Sequence, residues 1–133
     1  MYPARAMQFF RKWLLSACLL PALLCAGAAW SAPPARAQQE IAQLIGSLDG
    51  SQCQFQRNGS WYGAGDARAH LQRKYDYLLK KGMVDSAEQF IERAASQSSM
   101  SGKAYRIRCP GQPEQAAAGW FEARLQALRQ RTP

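Results

Sequence analysis

The 133-residue sequence has one histidine, His70, and only 9 acidic residues against 17 basic ones. The lone histidine weighs against a metal centre. A structural zinc site takes four cysteine or histidine ligands, and only Cys53 and Cys109 stand near the middle of the chain with it. Catalytic signatures are also missing. There is no Gly-x-Ser-x-Gly elbow and no Ser-x-x-Lys pair, and no acid is spaced to orient His70. The only Gly-Lys, at 102 and 103, lacks both the earlier glycine and the following Ser or Thr of a phosphate-binding loop. No internal repeat occurs, and no low-complexity stretch beyond one serine-rich loop. Neither a metal nor any other cofactor is expected.

The N-terminal segment is free of acid up to Glu40. Met1 to Lys12 carries Arg5, Arg11 and Lys12, Trp13 to Trp30 is apolar, and small residues follow. That order is the pattern of a secretory signal peptide. Two places fit the small-x-small cleavage rule, Ala26-Gly-Ala28 and Ala35-Arg-Ala37. The helical periodicity that starts just after Ala37 favours a leader of residues 1–37 and a single small domain over 38–133. Leu15-Ser-Ala-Cys18 resembles a lipoprotein site, but only Trp13 and Leu14 lie between Lys12 and that motif, so lipidation at Cys18 is disfavoured. A retained anchor is disfavoured by the small-residue tail and by Pro33-Pro34. The expected location is the periplasm of a Gram-negative cell, with no membrane span after cleavage. Loss of the leader removes four basic residues and leaves 13 against 9. The mature domain is mildly basic, a weak indication of a polyanion partner.

An exported domain that keeps two cysteines in strand-like segments is expected to oxidise them to one disulfide, Cys53–Cys109. Closing a loop of this length contributes on the order of 4 kcal/mol through chain entropy. That is a large share of the stability of so small a domain.

Local patterns give the elements. Ile41, Leu44, Ile45 and Leu48 share one helical stripe, predicting a helix over 38–48. Cys53-Gln-Phe-Gln-Arg57 alternates like a strand with one buried face. Asn58-Gly59 is a hairpin turn signal, and Ser60-Trp-Tyr62 is the return strand. Asp66 is placed to cap a helix from Ala67 to Lys81 that stops at Gly82, with Ala67, Leu71, Tyr75, Leu78 and Leu79 buried. Lys74 falls inside that apolar arc, with His70 at its edge. Asp85-Ser-Ala-Glu88 reads as a capping box opening a helix to about Ser96, and its Glu88 and Glu92 are placed to answer Lys74 or Arg57. Ala104–Cys109 is a strand, and Glu114–Arg129 a last helix. If Cys53 opposes Cys109 in an antiparallel pair, Phe55 meets Ile107 and Arg57 meets Tyr105, so every inward residue finds an inward partner. The fold class expected is α+β: a small antiparallel sheet of a hairpin and a third strand, packed with about four amphipathic helices.

Four runs then line up in order: Phe55-x-Arg57-Asn58-Gly59, Ala69-His70-Leu71-x-x-Lys74, Ser86-Ala-Glu-Gln-Phe-Ile91, and Ala95-Ser96-x-Ser98-Ser99-x-Ser101-Gly102-Lys103-x-Tyr105. Together they resemble the YfeK-like proteins, short exported bacterial proteins grouped as a domain of unknown function. The resemblance spans roughly residues 40 to 125. It implies periplasmic export and a single small domain, and it brings no assigned activity or catalytic residues.

The leading functional expectation is a non-catalytic module that binds an unknown periplasmic protein or a small ligand. Its surface candidates are Arg57, Asn58, Trp61, Tyr62, His70, Lys74, Ser98, Ser99, Ser101 and Lys103. One alternative is a small hydrolase using His70 with a loop serine. Another is weak binding of a cell-wall polymer through Arg57, Lys103, Arg106 and Arg108, with nucleic acid disfavoured as a partner.

Overall fold

The computed structural model describes residues 31–132. All but the last seven residues of the expected leader, with Cys18 and Cys25, lie outside that range. Among the described residues the chain runs through helix α1 (Ala35–Gly46), strands β1 (Gln54–Arg57) and β2 (Ser60–Tyr62), and helix α2 (Ala64–Lys80). Helix α3 (Ala87–Phe90) continues into a π-helical turn (Ile91–Ala95). Strands β3 (Arg106–Arg108) and β4 (Gln115–Ala116) precede helix α4 (Ala117–Arg131). The sheet is antiparallel throughout, in the order β2-β1-β3-β4. The α+β class is therefore as expected. None of these helices is long and apolar enough to cross a membrane.

The turn between β1 and β2 follows from two residues. Asn58 and Gly59 have φ of 50° and 83°. A type I′ turn needs positive φ at both positions, and it carries the twist that lets the flanking strands pair. The pairs are Phe55–Tyr62, Gln56–Trp61 and Arg57–Ser60. On the other side of β1, Gln54 pairs with Arg108, Phe55 with Ile107 and Gln56 with Arg106. This is the register expected from the inward residues, and one further step sets Cys53 opposite Cys109. The disulfide forms there, with S–S 2.04 Å and Cα–Cα 4.1 Å.

The sheet buries one face. Cys53, Phe55, Tyr105 and Ile107 join the core, while Gln54 and Arg108 are exposed on the reverse. Helices α2 and α4 pack against the strands, and α1 and the α3 region complete the same core. Ile41, Leu44, Ile45 and Leu48 come from α1 and its C-terminal turn, Leu71, Tyr75 and Leu78 from α2, Phe90 and Ile91 from the α3 region, and Trp120, Phe121 and Leu125 from α4. At the end of α2, Gly82 adopts φ 61°. Met83 N–H then reaches the Leu78 carbonyl at 2.9 Å and Gly82 N–H that of Leu79 at 3.1 Å, closing a Schellman motif.

Several boundaries differ from the sequence reading. Helix α1 starts at Ala35 rather than Gln38, and Ala37 is buried against the fold. Helix α2 starts at Ala64 with Gly63 as its N-cap, so Asp66 lies in the first turn, where it favours the helix dipole without capping. Leu79 leaves the core, 37% exposed. The capping box is shifted by one residue. Ser86 Oγ accepts from Gln89 N–H at 3.1 Å, and Gln89 Oε1 accepts from Asp85 N–H at 2.7 Å. Residues 114–116 are not helical: Gln115 and Ala116 form an edge strand paired to Ile107 and Arg106, and Ala117 N–H donates to the Tyr105 carbonyl at 2.9 Å. The strand expected over 104–109 narrows to 106–108, because Ala104 and Tyr105 instead pair back to Gln97 and Ser96.

Candidate functional site

The side chains expected to matter divide between two places. Arg57, His70 and Lys74 meet at Tyr105. Arg57 ends β1 on the inner side of the sheet, and Tyr105 lies opposite it just before β3. His70 and Lys74 are four apart on α2 and so lie on adjacent turns of one face. Arg57 Nη1 lies 2.5 Å from His70 Nδ1. His70 Nε2 lies 3.0 Å from the Tyr105 hydroxyl, and Lys74 Nζ donates to the same oxygen at 3.2 Å. Lys74 also donates to the Gln97 carbonyl at 2.9 Å. Arg57 packs over the Tyr62 ring at 4.7 Å, and Lys74 over the Tyr105 ring at 4.9 Å.

Burial and like charge act together on these groups. Burial first, then Arg57, Lys74 and Arg73, push the His70 imidazole down to about 4, so it is neutral at physiological pH. Burial and then Arg57 lower Lys74 from its ordinary value. Burial raises Tyr105, against an opposing pull from Arg57. Neither Glu88 nor Glu92 answers these cations, contrary to expectation. Glu88 pairs with Arg129 at 2.5 Å, and Glu92 makes no ion pair among the described residues. The buried stripe runs unbroken through the π-turn, with Ala87, Phe90, Ile91, Ala94 and Ala95 all in the core, and it leaves Glu88 and Glu92 exposed beside it. Ser96 closes the turn, its Oγ donating to the Ile91 carbonyl at 2.6 Å.

The second place is the loop at 96–103. Ser98 is buried and acts as its hub. Its Oγ accepts from the N–H groups of Met100 and Ser101 at 3.3 Å each and from Asn58 Nδ2 at 3.4 Å. Ser101 Oγ donates to Asn58 Oδ1 at 2.5 Å and accepts from Lys103 N–H at 3.3 Å. Gly102 N–H returns to the Ser98 carbonyl at 2.9 Å. These bonds tie the loop to the hairpin tip and hold Met100 outward, 96% exposed. The His70–serine pair that a hydrolase needs is not formed: both ring nitrogens are taken, by Arg57 and Tyr105.

Trp61 and Tyr62 are half-buried, each under an arginine. Arg108 lies 4.0 Å over the Trp61 ring, on the outer sheet face. Arg106 and Arg108 share that face, where Arg106 approaches Glu114 at 3.8 Å and Arg108 donates to Gln54 at 2.7 Å. Arg57 is on the inner side, so the four basic residues do not form one patch.

A cleft of about 830 Å³ opens beside the first cluster. One wall is α2, with His70, Arg73, Lys74, Tyr77 and Leu78. The other runs from Glu92 and Arg93 through Ser96 and Gln97 to Ser99, with Met83 at one end. Arg93 is anchored by donating to the Met83 carbonyl. Arg73, Met83, Glu92, Arg93, Ser96 and Gln97 were not singled out as site residues from the sequence. Gln97 takes part through its backbone carbonyl, which leaves no residue-type signal. No group of three or more acidic, histidine or cysteine side chains among the described residues is arranged to hold a metal.

The chain is similar to the "Uncharacterized protein YfeK" of Salmonella typhimurium (strain LT2), 34% identical over 89 residues, which cover 66% of this chain and 72% of that protein. No solved structure matches it. A model of a family of unknown function, DUF5329, matches residues 35–129, which is nearly the whole of the described fold, and the chain belongs to that family.

Proposed function

We propose that this protein is an exported, non-catalytic binding module whose ligand occupies the cleft between α2 and the 92–99 segment. The observation that carries the reading is the convergence of Lys74 and His70 on Tyr105 beside that cleft, with an apolar wall of Tyr77, Leu78 and Met83 close by. Ligand sites of small proteins have this make-up: a concave, partly apolar surface with a few fixed polar groups. Against a catalytic role, His70 has Arg57 on one ring nitrogen and the Tyr105 phenol on the other, and it makes no hydrogen bond to a serine among the described residues.

The leader supports export, and the disulfide fits an oxidising compartment. Cleavage after Ala28 fits better than cleavage after Ala37. Ala37 lies buried within α1, and Gln38 Nε2 donates to the Pro33 carbonyl at 2.7 Å, so residues 33–37 belong to the fold. N-terminal sequencing of the exported protein should read from Ala29; a terminus at Gln38 contradicts this.

The binding reading is tested by titrating the disulfide-bonded protein with mixed small-molecule fragments and following its amide NMR signals. Shifts should cluster at Arg73, Lys74, Tyr77 and Gln97. Shifts confined to Trp61 and Arg108 on the outer sheet face would overturn it.

A further inference from the structure

The protons around Tyr105 do not balance. A guanidinium carries donors only. Arg57 Nη1, 2.5 Å from His70 Nδ1, therefore makes that nitrogen the acceptor and places the imidazole proton on Nε2. Nε2–H donates to the Tyr105 oxygen at 3.0 Å. The Lys74 ammonium donates to the same oxygen at 3.2 Å, which fills its two acceptor positions. The Tyr105 O–H is then left with no acceptor among the described residues. Lys74 is in a similar state. One of its three N–H groups serves Tyr105 and one the Gln97 carbonyl, and the third has no acceptor among the described residues.

Charge is out of balance in the same way. Arg57 and Lys74 both contact the neutral His70–Tyr105 pair, and Arg73 lies close enough to act on His70. No carboxylate among the described residues pairs with any of the three. A half-buried ammonium beside a second cation is unfavourable unless an anion completes it. Glu92, the one acid on the cleft, stands on the facing wall. The cationic end adjoins an apolar one, where Tyr77 is 58% and Met83 42% exposed beside Leu78.

We infer that the cleft takes a small organic monocarboxylate with an apolar body. The carboxylate sits against the free N–H of Lys74, with Arg73 adding charge, and the body lies along Tyr77, Leu78 and Met83. Glu92 opposite disfavours a second negative charge on the ligand. The inference rests on the binding-module reading and names its ligand class.

The test is a titration of the disulfide-bonded protein with sodium octanoate, followed by NMR and calorimetry. Octylamine, 1-octanol and inorganic phosphate serve as comparison probes. Octanoate should saturate and move the Lys74, Leu78 and Met83 signals. Lys74→Met, which keeps the stem and removes the charge, should weaken it about tenfold or more, the scale of a charge-assisted hydrogen bond. Tyr77→Ser should weaken octanoate several-fold and leave phosphate unchanged. Equal binding of octanol and octanoate would overturn the carboxylate, and phosphate binding as tightly as octanoate would overturn the apolar body. If octylamine moves the cleft signals and octanoate does not, the module reading stands and the ligand class falls. If neither these probes nor a fragment set moves them, both fall. Far-UV circular dichroism of each variant separates lost binding from lost folding.

Discussion

Two clusters of charge in this fold are built on opposite plans. Between α1, α3 and α4, Arg129 meets two carboxylates. It holds Glu40 through two bonds of 3.0 Å and Glu88 through one of 2.5 Å, and Arg36 adds to Glu40 at 3.2 Å. The hydrogen bonds from Arg129 hold both carboxyls below their ordinary range. At Tyr105, Arg57 and Lys74 meet only a neutral imidazole, a phenol and a carbonyl. The first cluster is complete and locks the N-terminal helix to the C-terminal one. The second has no carboxylate partner among the described residues and opens on a cleft. Charge matching within the fold marks a structural joint, and its absence beside a cavity is the ground of the proposed ligand site.

The contrast can be broken from either side. Among substitutions, the largest effect is expected from Arg129→Met. It leaves Glu40, whose side chain is only 12% exposed, with the exposed Arg36 as its one remaining partner, and it leaves Glu88 unpaired. Stability should fall by about 1–2 kcal/mol, the scale of charge-assisted hydrogen bonds lost from a partly buried carboxylate. Urea denaturation at neutral pH measures it; a loss near zero would mean the joint is ornamental.

Acidification comes next, and it separates the clusters by pH. The unfolded imidazole takes a proton near 6.5 and the folded His70 only near 4. Between those values the unfolded state binds more protons, so stability falls as pH drops through that window. The loss should be roughly 2 kcal/mol after allowing for solvent screening. The groups facing His70 are Arg57, Arg73, Lys74 and Tyr105, and none of them is an acid that would soften the effect. The lowered carboxyls Glu40 and Glu88 give up their contribution only at lower pH, as each is protonated. His70→Asn should remove the upper window and leave the lower one in place.

Ser98→Ala should cost about 1 kcal/mol, because it removes one hydroxyl that serves three donors. Hydrogen exchange should quicken at Met100 and Ser101 first. Lys74→Met should have the smallest effect on stability and the opposite sign: unchanged or up to about 1 kcal/mol more stable, because an unmatched, half-buried charge is replaced by an apolar stem.

Much of the scaffold was legible from period and turn chemistry. Alternation at 53–57 and 105–109 gives two strands with one inward face each, and Asn58-Gly59 admits one tight turn. The disulfide was expected from the two cysteines of an exported domain, and setting them opposite each other gives the observed antiparallel register. The misses have local causes. Asp85…Glu88 and Ser86…Gln89 are overlapping capping pairs, and the sequence does not say which closes. Strand β4 is two residues at a sheet edge, too short for alternation to register. Helix α1 starts three residues earlier than its apolar stripe indicates, because Ala35-Arg-Ala37 carries no periodic apolar signal of its own. At the site, Lys74 within an apolar arc was the visible anomaly, and Arg57 opposite Tyr105 followed from the register. Tyr105 as the meeting point was hidden, because a hydroxyl shared by His70 and Lys74 depends on helix-to-sheet distances that no single element encodes. The two glutamates assigned to those cations lie exposed beside the stripe, and Glu88 goes instead to Arg129, a partner 41 residues away that only tertiary packing brings near.

The most direct test is urea unfolding of the native protein and of Lys74→Met, each with and without saturating octanoate. Without ligand the variant should be as stable as the native protein or more so. With octanoate the order should reverse, because the native protein gains more stability by binding than the variant, whose affinity is about tenfold weaker. A variant that is clearly less stable without ligand, and that responds to octanoate as the native protein does, would show that Lys74 is a structural residue like Arg129 and would contradict the account.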